Sequence, residues 1–335
     1  MLSTLAPAQN RPGIQTGLAL LLPYLADNGY RFTTTTPLTH QRVMSHRAGH
    51  PGTTAGDIFG WNLPFAPSAL PEKLLDTLSA SGLVVKCGGL LQATLRVSSI
   101  GNDLFVHSAY PTVQDNAVFF GPDTFRFARF IQQGIASGFS PASSALRILD
   151  VGCGSGAGGI VAARALSAAK SDLNPSSLEL VMNDINPLAL QYTAVNAAFA
   201  GLEVSLAIGD ALSAVQGEFD LIISNPPYLD DAAQRAYRHG GGRLGRALSV
   251  RITAEALGRL AASGRLLMYT GVAITCGVDP FLAEVQPLLE AADCNWSYEE
   301  IDPDVFGEEL EQPVYSRIDR IAAVGLVATR KPEIS

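Results

Sequence analysis

Four short apolar runs in the second half of the chain each end abruptly in polar or glycine residues. They are rich in branched side chains, as buried parallel strands are, and they lie at Leu146–Val151, Leu178–Met182, Val204–Ile208 and Phe219–Ser224. The first leads through a glycine-rich turn into a helical segment, and the last stops at two prolines, which cannot donate to a ladder. The pattern predicts an open α/β sheet whose carboxyl edge, where such folds bind ligands, carries polar side chains.

The pattern downstream predicts that the same doubly wound order continues to the end of the chain. We expect helices at Ala254–Ala262 and Asp279–Ala292, a strand at Gly264–Thr270, and a final pair of strands at Trp296–Asp302 and Arg320–Thr329.

The front third predicts a smaller domain of mixed helix and strand over residues 1–114, ahead of a catalytic domain at 115–335. Helices are expected at 13–28 and at Pro71–Ser81, with an irregular segment containing a short helix at 38–70. The runs Leu91–Ser98 and Leu104–Ser108 predict a hairpin with its turn at 100–103. A helix followed by a hairpin has two interpretations, a winged helix that contacts nucleic acid or a substrate or cap domain.

The charge balance bears on that choice. The 335 residues carry a formal net charge of -8, whereas non-specific nucleic-acid binding needs a positive surface. The cap domain is therefore favoured, although a local basic patch remains compatible. The four cysteines are scattered and show no metal-ligand spacing. We therefore expect no bound metal, and we expect the cysteines to be reduced thiols. No apolar run reaches the length of a membrane span and no clean cleavage site follows the N-terminus, which predicts a soluble cytoplasmic protein.

The sequence Asn225-Pro-Pro-Tyr228 follows the strand at Phe219–Ser224 and is expected to form a fixed lip at the carboxyl edge of the sheet. We call these four residues the lip. One amide side chain, two stiff carbonyls and one aromatic ring suit a planar group that carries N–H donors.

The glycine turn after the first strand has two interpretations. Gly154, Gly156 and Gly159 satisfy GxGxxG, so a dinucleotide-binding domain and a nicotinamide dehydrogenase must be considered. However, Asp150 precedes these glycines and suits an ammonium group better than a pyrophosphate. Asp184 and Asp210 end the next two strands, where they could meet ribose hydroxyls and an adenine amino group. A cationic amino acid, a ribose and an adenine without phosphate together describe S-adenosylmethionine.

With these residues in order, residues 146–228 resemble a class I S-adenosylmethionine-dependent methyltransferase of the "methyltransferase small" group. The resemblance implies a Rossmann-like sheet of seven strands closed by an antiparallel pair. It also implies cofactor contacts at Asp150, Gly152, Gly154, Gly156, Asp184, Ile185, Asp210, Ala211, Asn225 and Thr124. Thr124 belongs to the element Pro122-Asp123-Thr124, which is similar to a Pro-acid-Thr element of release-factor glutamine N5-methyltransferases.

The lip resembles the Asn-Pro-Pro-Tyr motif of those enzymes and of adenine N6-methyltransferases. The catalytic residues are then Asn225, Pro226 and Tyr228, with Asn225 and the Pro226 carbonyl accepting the N–H bonds of the acceptor and Tyr228 stacking on its plane. Gly121 and Phe125 stand where the release-factor enzymes usually carry Arg and Glu. The predicted acceptor is therefore an amide or conjugated amine nitrogen of a protein or small molecule. An rRNA or DNA base is the alternative, and a non-catalytic cofactor-binding module is the alternative of another class.

Two charged segments could select the acceptor, and Phe120, Arg238 and Arg243 are the candidate substrate residues. Five arginines follow the lip between 235 and 251, and seven acids lie between 299 and 311. One interpretation is that these segments are solvated rims or pair with each other. The other is a glycine-hinged lid whose arginines hold a carboxylate or phosphate of the acceptor.

Overall fold

A computed structural model describes residues 12–112, 114–141, 145–169 and 177–332. The helices it contains are α1 (Pro12–Asp27), α2 (Pro37–His46), α3 (Glu72–Ala80), α4 (Pro122–Ala136), α5 (Ala157–Ala169), α6 (Pro187–Phe199), α7 (Ala247–Leu257) and α8 (Pro280–Ala291). The strands are β1 (Val84–Cys87), β2 (Leu90–Ala93), β3 (Leu95–Ile100), β4 (Asp103–Ser108), β5 (Leu146–Val151), β6 (Leu178–Asp184), β7 (Ser205–Ile208), β8 (Phe219–Ser224), β9 (Leu260–Ile274), β10 (Cys294–Asp302) and β11 (Arg320–Arg330).

Seven of these strands form one sheet in the order β10-β11-β9-β8-β5-β6-β7. The five strands from β5 to β9 run parallel, while β11 lies antiparallel to both β9 and β10. Helices α4 and α5 pack on one face and α7 and α8 on the other, so apolar side chains fill both sides of the sheet. The predicted α/β fold with its closing antiparallel pair is confirmed.

Strand β8 shows why the sequence pattern was informative. All six of its residues are buried, because neighbouring strands and helices cover it on every side. Its ladder ends at Ser224, and the lip begins with the next residue. The lip therefore projects from the middle of the sheet.

The front of the chain folds as helices and two small two-stranded sheets, β1-β2 and β3-β4. The predicted hairpin is present as β3 and β4, with its turn at Gly101 and Asn102. The first predicted run, Leu91–Ser98, is wrong as a single strand. It is divided at Thr94, whose amide donates to Leu83, so that its first part pairs with β1 instead.

The helix predicted at Ala254–Ala262 is displaced by several residues. Helix α7 starts at Ala247 and ends at Leu257, and Gly258 follows it as the C-terminal cap. Leu260 already begins β9, where it pairs with Phe219. Glycine is a poor residue for a helix interior, and this one separates the helix from the strand.

The front of the chain and the part that forms the seven-stranded sheet share buried side chains. Ala189 and Tyr192 of α6 pack in the same apolar cluster as the front helices. The buried amide of Asn196, also in α6, bonds with the backbone of Val106 in β4 and donates to the carbonyl of Ser155 in the glycine turn at 2.9 Å. Helix α6 therefore joins the two parts of the chain, because it contributes side chains to the apolar clusters of both.

Among the described residues no helix is long and apolar enough to cross a bilayer.

Candidate functional site

The carboxyl ends of β5, β6 and β8 and the turn after β7 open into one pocket. Its wall includes most residues predicted from the sequence, namely Thr124, Asp150, Gly152, Gly154, Asp184, Ile185, Asp210, Ala211, Asn225, Pro226, Tyr228 and Arg238. Parallel strands bring their ends to the same edge, which is why residues distant in sequence meet here.

The glycine turn between β5 and α5 is built by backbone contacts. Gly152, Gly154 and Gly156 all have positive φ, between 56° and 78°, a region that residues with a side chain rarely adopt. The amides of Gly152 and Cys153 both donate to the carbonyl of Asn183, which holds the turn against the end of β6. Gly156 is not part of the pocket wall; a Cβ there would lie 3.0 Å from Thr193, so its role is close packing against α6.

Asp150 is a buried carboxylate at the start of this turn. Its Oδ2 accepts a hydrogen bond from the amide of Gly159 at 2.7 Å, within the first turn of α5. There is no room beside it for a side chain, because a Cβ on Gly158 would lie 2.8 Å from the same oxygen. Burial raises the pKa of Asp150 to about 7, and the charge of Asp184 adds to the rise. A cationic ligand group here would favour the ionised form.

Asp184 ends β6 and faces the same pocket. Its two oxygens accept from the amides of Gly154 and Asn186, each at 2.8 Å, and burial raises its pKa. The amide of Ile185 also bonds to this carboxylate, and because a carboxylate has about four acceptor positions, at least one remains for a ligand hydroxyl. The next residue, Ile185, is apolar yet 57% exposed at the pocket wall, which fits a flat apolar ligand surface.

Asp210, after β7, is half exposed and is bound by an arginine. Arg251 of α7 donates to both carboxylate oxygens, at 2.5 and 2.9 Å, and these bonds lower the pKa of Asp210. The adjacent Ala211 has a φ of 46°, an uncommon conformation for a residue with a Cβ. The sequence did not indicate that Asp210 has a partner.

The two expected acceptors on the lip are free within the described part of the chain. Neither the side chain of Asn225 nor the carbonyl of Pro226 takes part in a hydrogen bond there, although both lie on the pocket wall. Both acceptors are therefore available to donors on a ligand that enters the pocket.

Phe120 does not lie on the pocket wall, and its assignment as a substrate residue is corrected. Its ring is buried and stacks on His107, with a centroid distance of 5.0 Å. The preceding residue, Phe119, is the aromatic side chain that lines the pocket. Two adjacent aromatic residues point in opposite directions along extended backbone, and the sequence alone did not say which one faced inward.

The two charged loops meet at the pocket, where an ion pair between Arg238 and Glu309 joins them. Arg238 forms an ion pair with Glu309 and lies 3.4 Å from Asp231, and Arg235 donates to Asp231 at 2.5 Å. This matches the interpretation in which the loops pair. The side chain of Arg243 lies outside the described part of the structure.

The loop after the lip packs directly on the lip backbone. A Cβ on Gly240 would lie 2.6 Å from the carbonyl oxygen of Pro227, and one on Gly245 would lie 2.3 Å from that of Tyr228. The glycine-rich composition of this segment therefore serves close approach as well as bending.

Sequence reasoning also missed Phe306 and Tyr237 on the pocket wall. The ring of Phe306 meets Tyr228 edge-on at 5.8 Å, and the hydroxyl of Tyr237 donates to the carbonyl of Thr112 at 2.5 Å. An aromatic residue within the acidic stretch was the available signal for Phe306. In the described ranges, His, Cys, Asp and Glu form no group of three or more that could hold a metal.

Comparison with known proteins finds similarity in the part of the chain that carries this site. Residues 136–275 match the family model described as "Methyltransferase small domain". The release factor glutamine methyltransferase of Deinococcus radiodurans is 32% identical over 173 residues, which cover 49% of this chain and 55% of that protein. The ribosomal RNA small subunit methyltransferase C of Serratia proteamaculans is 33% identical over 116 residues, covering 33% of this chain and 31% of that protein. The chain thus spans about half the length of the first relative and about a third of the second.

The crystal structure of the M. jannaschii tRNA m1G37 methyltransferase superposes with a TM-score of 0.45 at 15% identity, covering 72% of this chain and 61% of that one. The family match confirms the resemblance predicted from the four motifs, together with S-adenosylmethionine as the cofactor that the resemblance implies. Residues 136–275 are thus similar to the methyltransferase small domain.

Proposed function

We propose that the protein is an S-adenosylmethionine-dependent N-methyltransferase whose acceptor is an amide or conjugated amine nitrogen. The observation that carries the proposal is the pair of unengaged acceptors, the Asn225 side chain and the Pro226 carbonyl, in the pocket that also contains Asp150 and Asp184. When bound, the cofactor supplies an electrophilic methyl group on a sulfonium.

The pocket residues fit this cofactor by their chemistry. Asp150 suits the ammonium group, Asp184 suits the ribose hydroxyls, and the exposed Ile185 suits the face of the adenine. Asp210 and Ala211, at the end of β7, would hold the edge of the adenine, and Thr124 and the glycine turn would enclose the amino-acid tail.

The lip acts on the acceptor nitrogen. The lone pair of an amide or aromatic amine is delocalised, so the nitrogen is a poor nucleophile. Oxygen acceptors at Asn225 and Pro226 would draw on its two N–H groups, favour a more tetrahedral nitrogen and orient its lone pair. Orientation of this kind accounts for much of the rate in an in-line displacement.

The charges near the pocket favour a protein or small-molecule acceptor over a nucleic acid. Arg235, Arg238, Arg246 and Arg251 each have an acidic partner, so few positive charges near the lip are available to phosphates. A nucleic-acid base is the second candidate, because one relative is named a ribosomal RNA methyltransferase. Both candidates use the lip in the same way.

The test is to incubate the protein with cofactor labelled in its methyl group and a fractionated lysate, and to ask whether label enters protein, RNA or small molecules. Asn225→Ala is the control, because it should lower turnover by about 100-fold, the size typical of removing one preorganised hydrogen-bonding group, while cofactor affinity stays within about twofold. Asp184→Ala should weaken the cofactor first. Label that persists unchanged with Asn225→Ala would contradict the role given to the lip.

A further inference from the structure

Asp123, the second residue of α4 and the acid of the Pro122-Asp123-Thr124 element, is a buried carboxylate. It is 3% exposed and lies on the pocket wall. Its Oδ2 accepts the hydroxyl of Tyr228, and its Oδ1 accepts the hydroxyl of Tyr269 at 3.1 Å and a guanidinium N–H of Arg126 at 2.9 Å. The carboxylate thus joins the start of α4, the lip and β9.

The ring of Tyr228 is held at three places. A Cβ on Gly271 of β9 would lie only 2.2 Å from the ring, so the ring lies directly on the strand backbone. Phe306 meets the ring at an interplanar angle of 73°, and the hydroxyl is bound by Asp123. Arg126 also binds Asp302 at 2.8 Å, which ties the acidic loop that carries Phe306 to the same carboxylate.

Resting on the function proposed above, we propose that Asp123 is a positioning residue, which holds the Tyr228 hydroxyl and thereby fixes the ring plane against which the acceptor is oriented. A carboxylate that was only structural would be indifferent to which of its two tyrosine partners is lost. A positioning carboxylate would act on turnover through Tyr228 alone, because Tyr269 belongs to β9 and not to the lip.

The ionised form of Asp123 is the one that can accept all three bonds, since a protonated carboxyl becomes a donor at one oxygen. Burial raises the pKa of Asp123 to about 6, while Arg126 and the Tyr269 hydroxyl oppose the rise and Asp302 adds to it. Arg126, Asp302, Tyr228 and Tyr269 are the charged and titratable groups that face it. The lip should therefore loosen as the pH falls through about 6.

The experiment compares Tyr228→Phe with the matched control Tyr269→Phe in the full-length protein, using the methyl acceptor found in the labelling experiment. Each variant loses one hydroxyl from the same carboxylate and keeps its ring. Both should lower the melting temperature by a similar amount, but kcat should fall about tenfold only in Tyr228→Phe, with the affinity for S-adenosylhomocysteine unchanged. Asp123→Asn should lower kcat similarly, and the double variant with Tyr228→Phe should be no slower than either single variant.

A second measurement reads the contact directly and needs no activity. In protein labelled with ¹³C at the tyrosine Cζ, the signals of Tyr228 and Tyr269 should both titrate with a midpoint near pH 6, and Asp123→Asn should abolish this titration. Equal kcat in the two phenylalanine variants, or additive losses in the double variant, would overturn the positioning role alone. A wild-type protein that binds S-adenosylhomocysteine yet labels no fraction would overturn the proposed function, and this outcome is seen before any variant is made.

Discussion

Lowering the pH should weaken binding of S-adenosylhomocysteine through a single buried carboxylate. The pKa of Asp150 lies at about 7 in the free protein because the carboxylate is fully buried. The amino group of the ligand stays protonated between pH 5 and pH 7, so its partner must be ionised. If binding requires ionised Asp150, the dissociation constant should rise by about fifty-fold from pH 7 to pH 5, the ratio of the ionised fractions at the two values.

Asp150→Asn should remove this dependence and also reveal the energetic strain of the site. A pKa raised above its ordinary value means that the folded state holds the proton more tightly than the unfolded chain does. The contribution of Asp150 to stability is therefore most favourable below about pH 4 and is lost as the pH rises towards 7, by about 4 kcal/mol for a shift of this size. Asn keeps an acceptor for the Gly159 amide but carries no charge. The variant should consequently be more stable than wild type at pH 8 without ligand, while binding more weakly.

Isothermal titration calorimetry between pH 5 and pH 7 measures the affinities, and urea unfolding measures the stabilities. Asp184, whose pKa is also raised by burial, faces the same pocket. Any pH dependence that remains in Asp150→Asn is therefore assigned to Asp184. An affinity that is flat from pH 7 to pH 5 in wild type, or an equal slope in the variant, would refute the pairing of Asp150 with the ligand ammonium.

Three further changes test other contacts of the site. Arg251→Met should alter the affinity for S-adenosylhomocysteine less than threefold, because exposed ion pairs contribute about 1 kcal/mol or less. Asp210→Ala should weaken this affinity about tenfold, because a hydrogen bond to the ligand is lost. Calorimetry that showed the reverse order would contradict this assignment. Gly271→Ala should destabilise the protein by about 1–3 kcal/mol in urea unfolding because the added methyl group overlaps the lip tyrosine, and an unchanged midpoint would count against that packing. Arg238→Glu should raise the KM for the acceptor several-fold. If this KM depends on the ion pair between Arg238 and Glu309, adding Glu309→Arg to the same chain should restore it. A KM that stays high in the double variant would indicate direct contact of Arg238 with the acceptor.

The sequence was informative about the sheet because buried parallel strands have a recognisable pattern of residue types. A buried parallel strand is a mostly apolar run, and polar residues mark its carboxyl end, as at Asn183-Asp184 and Ser224-Asn225. Strand and helix boundaries that depend on tertiary contacts have no such pattern in the sequence. The division at Thr94 depends on a bond to Leu83, and the start of α7 depends on how the preceding glycine loop packs on the lip.

The parts of the site that sequence reasoning missed are pairings between distant residues. Asp123 and Tyr228 are 105 positions apart, and no periodicity links a helix start to a lip. The bond between Asp210 and Arg251 spans 41 positions and changes how an acid predicted to be free is interpreted. Residue types and their spacing thus located the strand ends. The partners of each acid could be identified only from the folded structure.

The side-chain amide of Asn196 makes contacts across the boundary between the two predicted domains, so the two parts are not separate in the folded structure. This one side chain forms hydrogen bonds with Val106 of β4 and with Ser155 of the glycine turn. A catalytic segment expressed from residue 115 onward would lack Val106 and would present Ala189 and Tyr192 to water. Displacement of β4 would consequently also move the glycine turn beside the pocket, because one amide side chain binds both.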